Sequence, residues 1–500
     1  MNRYLEAKAG DFMIYQHLKQ RNEHNPHAIA IIKETEEIPN QAMVSEVDHL
    51  IRNFQKFGLD KETPLAIVLQ KSEVIWAAII AASHLEISVM LVDPHLKEEE
   101  MQKIMTMYQT DYVLREINSK AIDSLGYNEW YELSCFEHVF LIGNIGEHAA
   151  CWNEYLKPEV NQSHLVFLTS GSTKIPSAVV KKMESLMLDG KRIGEALGIV
   201  PEDRILCAAP TYHIYGTICG CFVPFLCGAS VSFTGAYVLP SSLEKKIDKQ
   251  ACNILMAVPA HYKMLVEHVH KPLDQIRIAL SATSPLQDDL MLTCKEKLNL
   301  SIQNIYGSSE AGVVSIQRNP QSIGEATNVG VPVDGVDVML DETSPFEFDG
   351  KTVYEVLIKS DSLAKGYLRK EEVDDSGYVV EDGWWRTGDL AYVSKENELH
   401  LVGRLNITIN VNGKKVNPYE IEEVLSQHPA IEDSVVVGEH DPIRGEMAVA
   451  YVVVKNHITE AELLEYCRAK LSDFKVPRRI EFRDDLPKTA AGKVRRKEVR

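Results

Sequence analysis

Five hundred residues exceed what one ordinary core holds, so the chain calls for at least two domains, one of them large. A content of 45% hydrophobic and 25% charged residues is that of a soluble globular chain. The formal charge of -19, from 53 basic against 72 acidic side chains, disfavours nucleic acid and anionic lipid as partners, while local basic patches remain available to a small anionic ligand.

The start, MNRYLEAKAGDFMIYQHLKQ, is charged throughout and lacks the apolar core of a secretory signal, so a cytoplasmic location is expected. From residue 64 the chain reads strand (PLAIVLQ), helix (SEVIWAAIIAASH), strand (ISVMLVD). The most apolar stretch, VIWAAIIAASHLEISVMLV, is broken by His84 and Glu86 and fits a buried helix followed by a strand better than a membrane span. Similar alternation recurs near Ile254 to Val258 and Ile276 to Ser281, which predicts an α/β layered domain.

The apolar run SHLVFL predicts a buried strand that delivers Thr169, Ser170, Gly171, Ser172 and Thr173 at its carboxyl end, where backbone amides and hydroxyls suit phosphate oxygens. The next segment does not read as the helix of a GxxxxGK(S/T) loop. Pro176 and then AVVKK favour extended chain ahead of the helix MESLMLDGKRIGEAL, which disfavours a Walker-type kinase or GTPase. Farther on, FDGKTVYEVLIKSD and KENELHLVGR show period-two patterns and predict an antiparallel region. In NPYEIEEVLSQHP, Asn417 is placed as a helix cap, Pro418 at the first helical position and Glu420 three residues after the cap, with Ile421, Val424 and Leu425 on one apolar face. From Lys470 to Arg500 eleven basic side chains face five acidic ones, a separate surface on an acidic protein. The nine cysteines, odd in number and without a CxxC pair, indicate neither a zinc site nor a disulfide framework; Cys207, Cys219, Cys221 and Cys227 read as small hydrophobes.

Six segments in order, LTSGSTKIP, PTYHIYG, IYGSSEAG, WWRTGDL, GRLNITINVNGKKVNPYEIE and LPKTAAGKVRRK, resemble the motifs of the adenylate-forming superfamily: acyl-CoA synthetases, aryl-acid ligases, luciferase and peptide-synthetase adenylation domains. The resemblance implies an α/β fold with a large N-terminal domain of several subdomains built from layered sheets and helices, residues 1–404, and a small mobile α/β C-terminal domain, residues 405–500. It implies Mg-ATP-dependent activation of a carboxylic acid to an acyl-adenylate with release of pyrophosphate, then thioester formation with CoA. The alternatives are loading of a carrier-protein phosphopantetheine and, from another class, a nucleotide-binding paralogue without catalysis. A monomer or homodimer is expected.

Carried over residue by residue, Glu310 resembles the magnesium-associated glutamate and Tyr306 the aromatic residue beside adenine, within a segment that includes Gly307, Ser308 and Ser309. Asp389 resembles the aspartate that accepts from the ribose hydroxyls, and Arg404 an arginine on the ribose or phosphate side. Lys493 resembles the lysine that stabilises charge developing between carboxylate and α-phosphate. Asn406 falls at the hinge position and Gly413 where pantetheine approaches closely. His213, Tyr215 and Gly216 fall beside the acid, as do Ala282 and Thr283 of SATSPL, which stands where the family has SGGAPL. The added side chains imply an aryl or short to medium aliphatic acid. In the phosphate loop Lys174 stands where the family has glycine and Ser177 where it has lysine, so Lys174 or Lys181 is expected to supply the missing cation.

Overall fold

The structure, a computed structural model, describes residues 14–108, 110–117, 127, 129–144, 163–169, 176–234, 239–318, 325–348, 350–368, 373–374, 381–411, 414–441, 445–488, 494–496 and 498–499. Two nine-stranded sheets form the larger part. In one, the parallel strands Ile278–Ser281, Ile254–Ala257, Arg204–Cys207 and Ser230–Phe233 lie side by side, flanked by Ile302–Ser308 and the antiparallel Gly312–Ile316. In the other, His164–Thr169, Val89–Leu91, Leu65–Val68 and Tyr112–Glu116 are the parallel centre, and Ser177–Lys182 joins antiparallel to His164–Thr169. Strands covered on both faces need apolar residues without alternation, and Leu65–Val68, Ile254–Ala257 and Ile278–Ser281 are buried at every position. A single large hydrophobic cluster runs through the layers and includes Trp76, Phe167, Phe222 and Tyr306. A larger N-terminal part and a smaller C-terminal part, both of mixed α/β structure, agree with the fold class expected from the sequence.

The apolar stretch after residue 71 is a buried helix, Ser72–His84, followed by the strand Val89–Leu91. Among the described residues no helix is long and apolar enough to cross a membrane. AVVKK is extended, as Pro176 predicts, within the strand Ser177–Lys182, and the helix Met183–Leu197 comes directly after it. The period-two segments form an antiparallel sheet of Val336–Phe348, Lys351–Ser360, Trp385–Val393 and Leu399–Arg404. A short 3-10 turn, Leu405–Ile407, then leads into a five-stranded sheet at the carboxyl end.

Asn417 caps the helix Pro418–Ser426, its Oδ1 accepting from the Tyr419 amide, and Ile421 and Leu425 are fully buried. Glu420 does not close the capping box that its spacing predicts. Its carboxylate ion-pairs with Lys475 at 2.9 Å, a partner brought in by the tertiary fold from 55 residues away.

His164 is 1% exposed, and among the described residues neither ring nitrogen has a hydrogen-bond partner. Burial, with Lys365 and Lys182 nearby, pushes its imidazole down to about 4. In the unfolded chain the ring protonates near pH 6.5, so between these values the unfolded state binds the extra proton and stability falls as pH drops. At pH 5 this one group lowers stability by about 2 kcal/mol relative to pH 7.5. Urea unfolding at the two pH values should therefore show a smaller drop in His164→Leu than in the parent, with no loss at pH 7.5; equal drops contradict the assignment.

Candidate active site

In sheets of this kind the backbone at the carboxyl ends of parallel strands is free to meet a ligand. Thr169 ends one such strand, Ala282 and Thr283 follow another, and the IYGSSEAG turn closes a third. Thr169 pairs across the ladder with Ser177, and its hydroxyl donates to the Ser177 carbonyl at 3.3 Å. The base of the expected phosphate loop is thus fixed. Ser170, Gly171, Ser172, Thr173 and Lys174 lie outside the described residues, as do Gly413 and Lys493; for Asn406 only the backbone, within the 3-10 turn, is described.

The turn of IYGSSEAG joins Ile302–Ser308 to Gly312–Ile316. A Cβ on Gly307 would lie 2.3 Å from the Gly312 carbonyl oxygen, so the hairpin closes only with glycine there. The Ser308 hydroxyl accepts from the Ala311 amide at 3.0 Å, and Ser309 is half-buried beside it. Glu310 is held at both ends: its carbonyl accepts from the Ala364 amide at 2.7 Å, and its Oε1 accepts from the Tyr367 hydroxyl at 2.9 Å. Tyr367 sits in a strand that pairs with Val179, two residues beyond Ser177. One strap, residues 360–368, therefore ties Glu310 to the base of the phosphate loop. A half-buried carboxylate with one oxygen fixed by a hydroxyl fits magnesium, a hard ion that keeps several waters and takes few protein oxygens.

Asp389 is 5% exposed, and its carboxylate accepts three hydrogen bonds among the described residues. Tyr306 donates its hydroxyl at 2.7 Å, and Arg404 donates through Nε and, at 3.3 Å, through a terminal nitrogen. Arg404 lies directly across the antiparallel ladder from Asp389, and the carboxylate raises the guanidinium's pKa further. The two residues expected to meet the ribose thus pair with each other, and the tyrosine expected beside adenine is tied to the same carboxylate.

On the acid side, the Tyr215 hydroxyl donates to the Leu280 carbonyl at 3.3 Å, which joins PTYHIYG to the strand leading into Ala282 and Thr283. A Cβ on Gly216 would lie 2.0 Å from the Pro210 carbonyl oxygen, so this glycine permits the tight turn. His213 Nε2 is buried with no hydrogen-bond partner among the described residues; burial lowers the ring's pKa, against the pull of Asp93. Thr283 has φ of +76°, a conformation that a β-branched residue rarely adopts and that costs on the order of 1–3 kcal/mol.

Lys181 is engaged inside the protein. It is 0% exposed, donates to the Ser362 carbonyl and lies 3.8 Å from Asp189 Oδ2, which in turn is 3.8 Å through Oδ1 from Arg192. Burial lowers the Lys181 pKa, opposed by Asp189 and then Glu310; burial likewise raises Asp189 to about 6. Sequence reasoning misses this buried cluster because its members are joined only by the tertiary fold. The one sequence signal is a pair of lysines, Lys181 and Lys182, at the end of a strand whose central residues are apolar.

The AMP-binding enzyme family model matches residues 18–368, and the AMP-binding enzyme C-terminal domain model matches residues 420–493. Among its relatives the chain is similar to the acetyl-coenzyme A synthetase of Bacillus subtilis, 27% identical over 73% of this chain and 68% of that one. It is 24% identical to the 2-succinylbenzoate–CoA ligase of Enterococcus faecalis, over 90% of each. In three dimensions it resembles o-succinylbenzoate coenzyme A synthetase from Bacillus subtilis in complex with ATP and magnesium ion, with a TM-score of 0.79, 22% identity, and coverage of 96% of this chain and 98% of that one. With the first family model spanning more than two thirds of its length, the chain belongs to the AMP-binding enzyme family.

Proposed function

We propose that this protein is an AMP-forming acid–thiol ligase: it joins a carboxylic acid to ATP as an acyl-adenylate, then transfers the acyl group to CoA. The observation that carries the reading is the convergence of Glu310, the phosphate-loop base and the Asp389–Tyr306–Arg404 group, supported by relatives named as CoA ligases. In the first step a carboxylate oxygen attacks the α-phosphorus and the bond to pyrophosphate breaks. In the second, the thiolate attacks the acyl carbonyl and AMP leaves with the electron pair.

Two anions must meet in the first step, so the site needs fixed positive charge and preorganised donors more than acid–base chemistry. Asp389 accepts from the ribose hydroxyls, and Arg404 holds that carboxylate in place. Tyr306 flanks adenine. Glu310 would hold magnesium, which would supply charge neutralisation at the phosphates. Lys493, carried on the C-terminal domain beyond a hinge at Asn406, meets the charge that develops as the acid attacks, and Gly413 leaves room for pantetheine. Lys181 is engaged by Ser362 and Asp189, which favours Lys174 over Lys181 as the replacement for the cation absent at Ser177.

The acid is aryl or short to medium aliphatic, because Thr283 and Ala282 put side chains at the end of the strand Ile278–Ser281, to which Tyr215 is joined through the Leu280 carbonyl. A carrier-protein pantetheine is the second acceptor considered, favoured by the basic excess from Lys470 to Arg500. A paralogue that binds nucleotide without catalysis is the third, favoured by the altered loop.

Acid-dependent ATP–pyrophosphate exchange across aryl, short, medium and long acids separates these readings, followed by CoA consumption measured against loading of a pantetheinylated carrier. Exchange with an aryl or shorter acid and consumption of CoA are expected. No exchange with any acid despite measurable ATP binding would favour the binding protein, and best turnover with palmitate or longer chains would refute the size argument. Thr283→Gly should extend the accepted chain length, raising kcat/KM for acids two to four carbons longer by roughly tenfold. An unchanged acid profile would show that Thr283 does not border the acyl group.

A further inference from the structure

Residues 360–368 form a strap that crosses from the antiparallel sheet to the strand Ser177–Lys182. At its far end it grips Glu310, through the Ala364 amide on the Glu310 carbonyl and the Tyr367 hydroxyl on Oε1. Its near end is held from beneath. Lys181 donates to the Ser362 carbonyl; Arg192 donates to the hydroxyls of Ser362 at 2.6 Å and Ser360 at 3.1 Å; the Ser185 hydroxyl donates to the Asp361 carbonyl at 3.2 Å. Between the two cations lies Asp189, completely buried. Gly312, two residues after Glu310, makes room for it: a Cβ there would lie 2.0 Å from Asp189 Oδ2.

A fully buried lysine is rare because its charge must leave water, and it persists where surrounding groups compensate it. Here the compensation is directional. The amine is spent on the backbone carbonyl of the segment that, two and five residues later, fixes both the main chain and the side chain of Glu310.

We propose that Lys181 is a positioning residue for Glu310: by clamping the strap at Ser362 it sets the placement of the carboxylate that meets the metal of Mg-ATP. This rests on the role given to Glu310 under the proposed function. It also gives the second lysine considered for the altered loop a different task. Lys181 does not replace the cation absent at Ser177; it acts one layer behind, through the strap.

The test uses the full-length protein with Lys181→Met, which keeps the length of the side chain and removes its charge. Calorimetry of Mg-ATP binding without acid or CoA reads the site with no turnover, and pyrophosphate exchange gives the KM values for Mg-ATP and for the acid separately. Mg-ATP affinity should fall at least fivefold and its KM rise in step, while the KM for the acid stays within twofold. A folded Lys181→Met with unchanged Mg-ATP affinity, or with both KM values raised alike, overturns the proposal. Ser362→Ala and Tyr367→Phe loosen the strap at its two ends without removing a buried charge. Each should weaken Mg-ATP binding by a smaller factor with the acid KM unmoved, and if neither does, the proposal fails even should Lys181→Met not fold. Wild-type protein that binds Mg-ATP but exchanges with no acid sinks the ligase reading while leaving the calorimetric test of Lys181 intact.

Discussion

A carboxylate taken out of water must be paired, and Asp389 is the place where that requirement organises this protein. Its partners come from separate parts of the chain: Tyr306 from the strand Ile302–Ser308, and Arg404 from the last residue of the antiparallel sheet. The Tyr306 contact therefore ties the antiparallel sheet to the nine-stranded sheet that holds Ile302–Ser308, while the two Arg404 contacts, within the antiparallel sheet, fix the backbone from which the 3-10 turn Leu405–Ile407 departs toward the C-terminal domain. Removing one partner of a buried pair leaves the other charge uncompensated, so the arrangement is held as a unit. In the proposed reaction this unit presents an oriented acceptor to the sugar, with an aromatic ring beside the base.

Glu310 is placed by the same logic with a longer lever. Its carboxylate is only half-buried, which suits the hydrated ion it is proposed to meet, and its position is set through neighbours: the Gly307–Gly312 close approach, the Ala364 amide and the Tyr367 hydroxyl. Behind these, Lys181, Asp189 and Arg192 form a charged layer inside the protein where an apolar one would pack as well or better. Such a layer is retained where it specifies a geometry. Here the geometry is the crossing of the strap between the phosphate-loop strand and Glu310.

The fold is largely legible in the sequence because its elements announce themselves locally. Pro176 with the β-branched pair Val179 and Val180 predicts the strand before Met183, His84 and Glu86 mark where a buried helix gives way, and Asn417 with Pro418 marks a cap. The features that escape a sequence reading are those set by distance along the chain. Glu420 has the spacing of a capping box but binds Lys475, and Lys181 looks like a candidate phosphate ligand until Ser362, 181 residues later, is folded against it. Asp389 and Arg404 read in sequence as two separate ligand contacts. Counting the hairpin register straight back from Val393 and Leu399 would set Asp389 opposite Gly403; an irregularity between Leu390 and Ala391 shifts the ladder by one residue and brings Arg404 across from Asp389, which only the structure shows. At Thr283 the replacement of a family glycine predicts added volume; that the residue also keeps a glycine-like φ is visible only in the structure.

Whether Asp389 receives a ribose is tested most directly by the affinity of the protein for ATP against 2′,3′-dideoxy-ATP, measured by calorimetry at one magnesium concentration. Hydrogen bonds to an ionised carboxylate contribute about 1.5–3 kcal/mol each, so loss of both hydroxyls should weaken binding tenfold or more. Equal affinities for the two nucleotides would contradict the account, because Asp389 would then be only the structural partner of Arg404 and Tyr306.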